Sequence, residues 1–191
     1  VLEIARRGQP YYGDEGGVTF SGGEPLVQSE FLLEAMDRLA DEGIQSVIDT
    51  SGTYYDDRTD DVISKCQLLL LDVKHTDPSQ FEEICGRQQR TLLHIIEEAN
   101  QAEVSVWMRQ VIIPGINDTE KNIDNLKAFA AQHIKHVYHI ELLGYHDLAV
   151  EKLSKVGLEY PLNGIPTMDK ERLAHLQALL KSLEERNTGN I

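Results

Sequence analysis

Cysteine is nearly missing from this chain: Cys66 and Cys85 are the whole complement in 191 residues. Two thiols cannot build a disulfide framework, and their spacing is not that of a C-x2-C metal knuckle. Both are expected to be reduced, with Cys66 packed as a structural thiol because it ends a helical segment just before the apolar run Leu68 to Leu71. Basic residues are also scarce, 18 against 32 acidic, for a formal charge of −14. That deficit excludes a surface that holds nucleic acid or anionic lipid through phosphate contacts, and a basic patch on a protein partner fits better. No apolar run approaches the roughly 20 residues of a membrane span, and the N-terminus lacks a basic-then-apolar secretion signal, so no membrane partner and a cytoplasmic location are expected. Internal repeats, low-complexity tracts and flexible linkers are absent as well.

What remains is a chain with 41% hydrophobic residues, enough for one sizeable core, read as a single domain over 1–191. It begins with Val1, and Leu2 to Arg7 already reads as the body of a helix with no cap before it. A chain that starts midway through a longer protein is the expectation. Helical and strand patterns then alternate. The spacing predicts a strand at Val18 to Phe20 and a helix from Ser29 to Glu42, whose apolar stripe includes Phe31, Leu32, Ala35, Met36 and Leu39 and is stopped by Gly43. A short strand from Ser46 to Asp49 and a helix near Asp57 to Lys65 follow. Leu68 to Val73 is apolar up to Asp72, the mark of a parallel strand buried on both faces. A helix from Thr91 to Ala102, a strand from Val104 to Ile113, a helix from Asp118 or Thr119 to His133, a strand from Val137 to Leu143 and a helix from Asp169 to Arg186 complete the order, with Asn187 to Ile191 frayed. Such alternation predicts right-handed βαβ crossovers and an α/β domain, doubly wound or wrapped as part of a (β/α) barrel.

In parallel α/β folds ligands gather at the carboxyl ends of the strands. There the chain places Ser21-Gly22-Gly23-Glu24, Asp49-Thr50-Ser51-Gly52, Asp72-Val73-Lys74-His75, Arg109, and Glu141 through His146. The first group is a strand that stops at paired glycines and is followed by Glu24-Pro25, where glycine opens the backbone to a ligand and proline suits a first helical turn. Two carboxylates (Asp49, Asp72), an ammonium (Lys74), a guanidinium (Arg109) and an imidazole (His146) on one rim suit a zwitterion such as an α-amino acid group. Gly22-Gly23 carbonyls with Glu24 would take the amine, and Lys74 or Arg109 the carboxylate. Asp49 and Asp72 would hold ribose hydroxyls or a metal cation, and both options stand open. His133, His136 and His139 run from a helix end into a strand, so they share no helical face and are not read as a metal cluster.

These motifs carry a resemblance. Val18-Thr19-Phe20-Ser21-Gly22-Gly23-Glu24-Pro25, Asp49-Thr50-Ser51-Gly52, Leu71-Asp72-Val73-Lys74, Trp107 to Val111 with Pro114-Gly115, and Leu142 to His146 stand in the order and spacing of one family. The chain resembles the radical S-adenosylmethionine enzymes that activate glycyl-radical enzymes, nearest to their pyruvate formate-lyase branch. The resemblance implies a partial (β/α)6 barrel without its first strand and cluster loop. It implies an S-adenosylmethionine pocket at Ser21, Gly22, Gly23, Glu24, Asp49, Asp72, Lys74, Arg109 and His146. A monovalent cation would sit at Asp49, Thr50, the backbone of Leu70, and Asp72. In the family a reduced [4Fe-4S] cluster cleaves S-adenosylmethionine to a 5′-deoxyadenosyl radical, which takes a hydrogen atom from a glycine of the partner, here nearest to pyruvate formate-lyase. An electron donor such as flavodoxin or ferredoxin is implied too.

The chain departs from the family in one large respect: the cluster is held by three cysteines spaced C-x3-C-x2-C, and neither Cys66 nor Cys85 matches. Gly144 also stands where proline is usual. These residues alone are therefore expected to hold no iron, to bind S-adenosylmethionine weakly and to generate no radical. Two rival readings are a cluster-free S-adenosylmethionine-binding or protein-interaction module, and a Schiff-base lyase or aldolase using Lys74 beside Asp72.

Overall fold

A computed structural model of the chain describes residues 1–13, 16–146, 162 and 164–188, with side chains as far as 181. Five strands, β1 (Gly17–Phe20), β2 (Gln45–Thr50), β3 (Leu68–Asp72), β4 (Ser105–Ile112) and β5 (Val137–Gly144), form one sheet in the order β1-β2-β3-β4-β5. The strands run parallel. Between and around them lie α1 (Leu2–Gly8), α2 (Ser29–Ala40), α3 (Thr59–Lys65), α4 (Pro78–Cys85), α5 (Arg90–Gln101), α6 (Glu120–His133) and α7 (Lys170–Thr188). Consecutive strands are sheet neighbours throughout, the pattern of successive βα units. No helix among the described residues is long and apolar enough to cross a membrane.

The residues group into two compact units, Val1–Arg109 with Ala130–Ile140, and Gln110–Phe129 with Glu141–Ile191. In the first unit, strand side chains alternate between a sealed and a half-open face. Ile48, Leu69, Leu71, Val73, Val106 and Met108 are fully buried. Helix α5 covers that side: a Cβ on Gly52 would lie 2.6 Å from Leu92 and 3.4 Å from Leu71. Each such leucine contributes roughly 2–3 kcal/mol by leaving water. The second unit buries Ile112, Ile123, Leu126, Leu142 and Leu176.

The leucine run of β3 departs from its sequence reading. Leu69 and Leu71 are buried, but Leu68 and Leu70 are only half-buried. Hydropathy fixes that a side chain avoids water but not which neighbours cover it. Leu68 and Leu70 share their face with Val47, Asp49, Trp107 and Arg109, their own registered neighbours or those of Asp72. That face carries the polar rim.

Helix boundaries follow local chemistry. Gly43, at φ 70°, turns the chain after α2 and lets Ile44 N–H reach the Leu39 carbonyl. Thr119, rather than Asp118, caps α6 by accepting from Asn122 N–H, while the Asp118 carboxylate accepts from Gly115 N–H. α4 was not among the sequence expectations, although its signal is complete: Asp77 accepts from the N–H groups of Ser79 and Gln80, Pro78 is the first helical residue, and Gly86 follows at φ 62°. α7 continues to Thr188, past the expected end at Arg186; residues 189–191 lie outside the described residues.

Asp56 ties α2 to α3. Its carboxylate accepts from the Ser29 hydroxyl at the start of α2, from Arg58 N–H and from the Thr59 hydroxyl at the start of α3. Burial pushes its pKa up, but those three donors outweigh burial and leave it below the ordinary aspartate value. A carboxyl depressed on folding stabilises above its unfolded pKa and loses that contribution as pH falls through the folded one. Asp56→Ala is expected to cost about 1–2 kcal/mol near neutral pH, with the deficit shrinking on acidification below the ordinary carboxylate range. Urea titrations of both proteins across that range check it.

Candidate functional site

The carboxyl ends of β1, β2 and β3 lie in the first unit, together with Arg109 from the middle of β4. β1 gives way to Ser21, Gly22 and Gly23, all exposed. Gly22 and Gly23 sit at φ 90° and 51°, dihedrals that glycine adopts without strain, and a Cβ on either would meet nothing within 4 Å. The glycines are thus dictated by backbone shape, and the space above them is open.

Glu24, next along, is fully engaged by its own chain. One carboxylate oxygen accepts from the Thr50 hydroxyl at 2.6 Å and Leu26 N–H at 3.3 Å. The other accepts from Ser51 N–H at 3.1 Å and the Ser51 hydroxyl at 2.7 Å. Glu24 therefore clamps the loop after β1 to the loop after β2. Thr50 faces the sealed side, 2% exposed, and its oxygen also receives Gly52 N–H.

On the half-open face, Arg109 bridges two strands. Its Nε donates to Asp72 at 2.8 Å, its terminal nitrogen donates to Asp49, and Lys74 lies 3.4 Å from the other Asp72 oxygen. The register explains the assembly, because Asp72 and Arg109 are direct cross-strand partners and Asp49 pairs with Leu70 one step back on the same face. These side chains retain only 17–33% of their exposure. Burial raises the Asp49 pKa; Arg109 opposes that rise, and the neighbouring Asp72 charge adds to it. The result is a linear array across three adjacent strands, carboxylate, guanidinium, carboxylate, ammonium, which can exchange internal partners for a ligand's charged groups.

The first unit thus brings together Ser21, Gly22, Gly23, Glu24, Asp49, Thr50, Asp72, Lys74 and Arg109. His146 belongs to the second unit, exposed just beyond β5. The histidine trio forms no metal group among the described residues; His139 instead packs edge-on to Trp107, with ring centroids 5.4 Å apart. Gly144 has Leu173 and Met168 against it, 3.1 and 3.5 Å from a Cβ built there. The clamp role of Glu24 escaped the sequence, where only the hydroxyl pair Thr50-Ser51 after β2 hinted at donors for it.

A family model described as the Radical SAM superfamily matches residues 1–127 of this chain. The chain belongs to the radical SAM superfamily. A pyruvate formate-lyase-activating enzyme of Clostridium pasteurianum is 38% identical over 97% of the chain and 77% of its own length. One from Streptococcus mutans is 30% identical over 97% of the chain and 73% of its own length. Among solved structures, a domain of pyruvate-formate lyase-activating enzyme from Bacteroides vulgatus superposes with a TM-score of 0.67 at 30% identity, covering 87% of this chain and 93% of that one. Within the superfamily, then, the chain falls among the activating enzymes, and the parallel sheet is the partial barrel of that fold.

Radical SAM enzymes use S-adenosylmethionine and a [4Fe-4S] cluster. The cluster does not fit the cysteines of this chain. Thiolates are required, yet Cys66 is 5% exposed and burial pushes its thiol up to about 12, so it stays protonated. Cys85, the remaining thiol, is half-buried and also raised by burial. Both are free, as expected. S-adenosylmethionine fits better: its methionyl group is a zwitterion, and the rim offers open glycine backbone beside paired cations and carboxylates.

Proposed function

We propose that this chain carries the S-adenosylmethionine-binding rim of an enzyme that generates a glycyl radical on pyruvate formate-lyase. The observation that supports this most is the array Asp49–Arg109–Asp72–Lys74 across the ends of β2 and β3 and the middle of β4. In this reading Lys74 and Arg109 receive the methionyl carboxylate, and the carbonyls of Gly22 and Gly23 receive the ammonium. Glu24 shapes that loop from behind rather than spending its saturated carboxylate on the ligand. Asp49 and Asp72 are then released to ribose hydroxyls. A monovalent cation at Asp49, Thr50, Leu70 and Asp72 would have to displace the guanidinium from between the carboxylates, and Thr50 would have to offer its carbonyl, its hydroxyl being bonded to Glu24.

The enzyme works in the cytoplasm with flavodoxin or ferredoxin as electron donor, and the 191 residues by themselves form no radical. Lys74 serves as a cation paired with Asp72, which counts against the Schiff-base reading. Electron paramagnetic resonance tests the proposal. The full-length gene product, incubated anaerobically with a reductant, S-adenosylmethionine and pyruvate formate-lyase, is expected to yield a glycyl-radical signal on the partner. The 191-residue chain under the same conditions is expected to yield none. A signal from the short chain alone, or silence from the full-length protein after cluster reconstitution, contradicts it.

A further inference from the structure

On the helical side of the sheet, away from the rim, three side chains from two helices meet around an unsatisfied pair of polar atoms. Asp60 is the second residue of α3; His94 and Glu98 lie one turn apart on α5. His94 Nε2 stands 3.4 Å from Asp60 Oδ1 and 4.0 Å from Glu98 Oε1, and all three ligand atoms fall within 4.8 Å of one another. Asp60 Oδ1 and His94 Nε2 are both sealed from solvent, and neither has a hydrogen-bond partner. Both side chains are 42% exposed overall, but these two atoms face each other, an ion pair only when His94 is protonated.

The surroundings hold that geometry in place. Tyr55 donates its hydroxyl to the second Asp60 oxygen at 3.0 Å and packs its ring edge-on to His94, with centroids 4.5 Å apart and planes at 88°. A carboxylate oriented through its distal oxygen by a hydroxyl is a recurring outer shell of metal sites. The spacing is quantitative: zinc–ligand bonds of about 2.0–2.2 Å at tetrahedral angles separate the donor atoms by about 3.4 Å. Asp60 and His94 already match that value, and Glu98 closes by rotating its side chain.

We infer that Asp60, His94 and Glu98 form a binding site for one divalent transition-metal ion, of which zinc is the best match, with a water in the fourth position. The imidazole selects against calcium and magnesium, which take oxygen ligands. The bound ion joins α3 to α5 and fixes Tyr55. It thereby braces the segment that begins at Ser51, where Glu24 grips it. The site is a structural brace, independent of the reading given to the rim.

The 191-residue chain, stripped with chelator and titrated with ZnCl2 while its seven histidines are followed by NMR, tests this. The ring signals of His94 are expected to move and saturate at one equivalent. His94→Gln and Glu98→Gln, both folded by circular dichroism, are expected to weaken zinc at least tenfold, and Tyr55→Phe by roughly tenfold. Cobalt substitution is expected to give ligand-field bands without a thiolate charge-transfer band. Saturation at other histidines, unchanged zinc affinity in both glutamine variants, or a thiolate band overturns the assignment.

Discussion

Arg109→Met is expected to destabilise the chain by about 2 kcal/mol and to abolish detectable S-adenosylmethionine binding. Removing the partner of buried charges costs roughly 3–5 kcal/mol, and residual exposure of 17–25% in Arg109, Asp49 and Asp72 reduces that figure through solvent screening. Methionine keeps the volume but leaves Asp49 and Asp72 facing each other without the guanidinium. The effect is pH-dependent with a definite sign. Asp49 is already raised in the folded chain, by burial first and by Asp72 as well, and Arg109 is the main group holding it down. A carboxyl raised on folding takes up protons, so stability is gained as pH falls through the window between the ordinary value of 3.8 and the folded one. Arg109→Met widens that window upward. Urea unfolding should therefore show a deficit that is largest at neutral pH and shrinks as pH falls toward the ordinary carboxylate range. A deficit that is constant or grows on acidification means the two carboxylates do not depend on Arg109.

Glu24→Gln is expected to produce the second large effect, a loss of about 3 kcal/mol with local loosening well before global unfolding. Hydrogen bonds to a charged acceptor contribute roughly 1.5–3 kcal/mol each and do not add fully. Glutamine leaves one oxygen to serve donors that now use two. Its amide nitrogen would also point a donor at Ser51 or Thr50. The readout is hydrogen exchange: the Ser51 amide, bonded to Glu24 at 3.1 Å, should exchange at least tenfold faster in the variant, while Leu69 and Leu71 in the core of β3 keep their protection. Unchanged exchange at Ser51 would reduce Glu24 to a passive loop residue. S-adenosylmethionine binding should weaken without vanishing, because Glu24 acts through the loops it joins.

Much of this fold is written in local pattern. The 3.6-residue stripe of α2, the Gly43 stop and the Pro114-Gly115 break need no tertiary information. The strand-end positions of Asp49, Asp72 and Lys74 followed from strand boundaries alone, whereas Arg109 lies inside β4. What local pattern does not carry is pairing across distance. Asp49 and Arg109 are 60 residues apart, and only the β2-β3-β4 register shows that one guanidinium closes on two carboxylates. The bonds that engage Glu24 were not legible, because its donors, Thr50 and Ser51, are brought to it by parallel pairing of β1 with β2. Leu68 and Leu70 read as sealed because hydropathy is blind to which face a helix covers. In the same way His94 and Glu98 show a legible one-turn spacing on α5, but Asp60 joins them only through helix packing. The missed α4 is different: Asp77-Pro78 and Gly86 were in plain view, and the short segment between them lacked a long apolar stripe.

The central claim, that the charged array across β2, β3 and β4 is the S-adenosylmethionine rim, is tested most directly by titrating the 191-residue chain with S-adenosylmethionine and following backbone and side-chain NMR signals. The account predicts saturable, weak binding, with a dissociation constant of about 0.1–1 mM, because the cluster that chelates the methionyl group is not held by these residues. The shifts should centre on Gly22, Gly23, Lys74 and the Arg109 guanidinium. Submicromolar binding, or shifts that leave those four residues untouched at saturation, would contradict it.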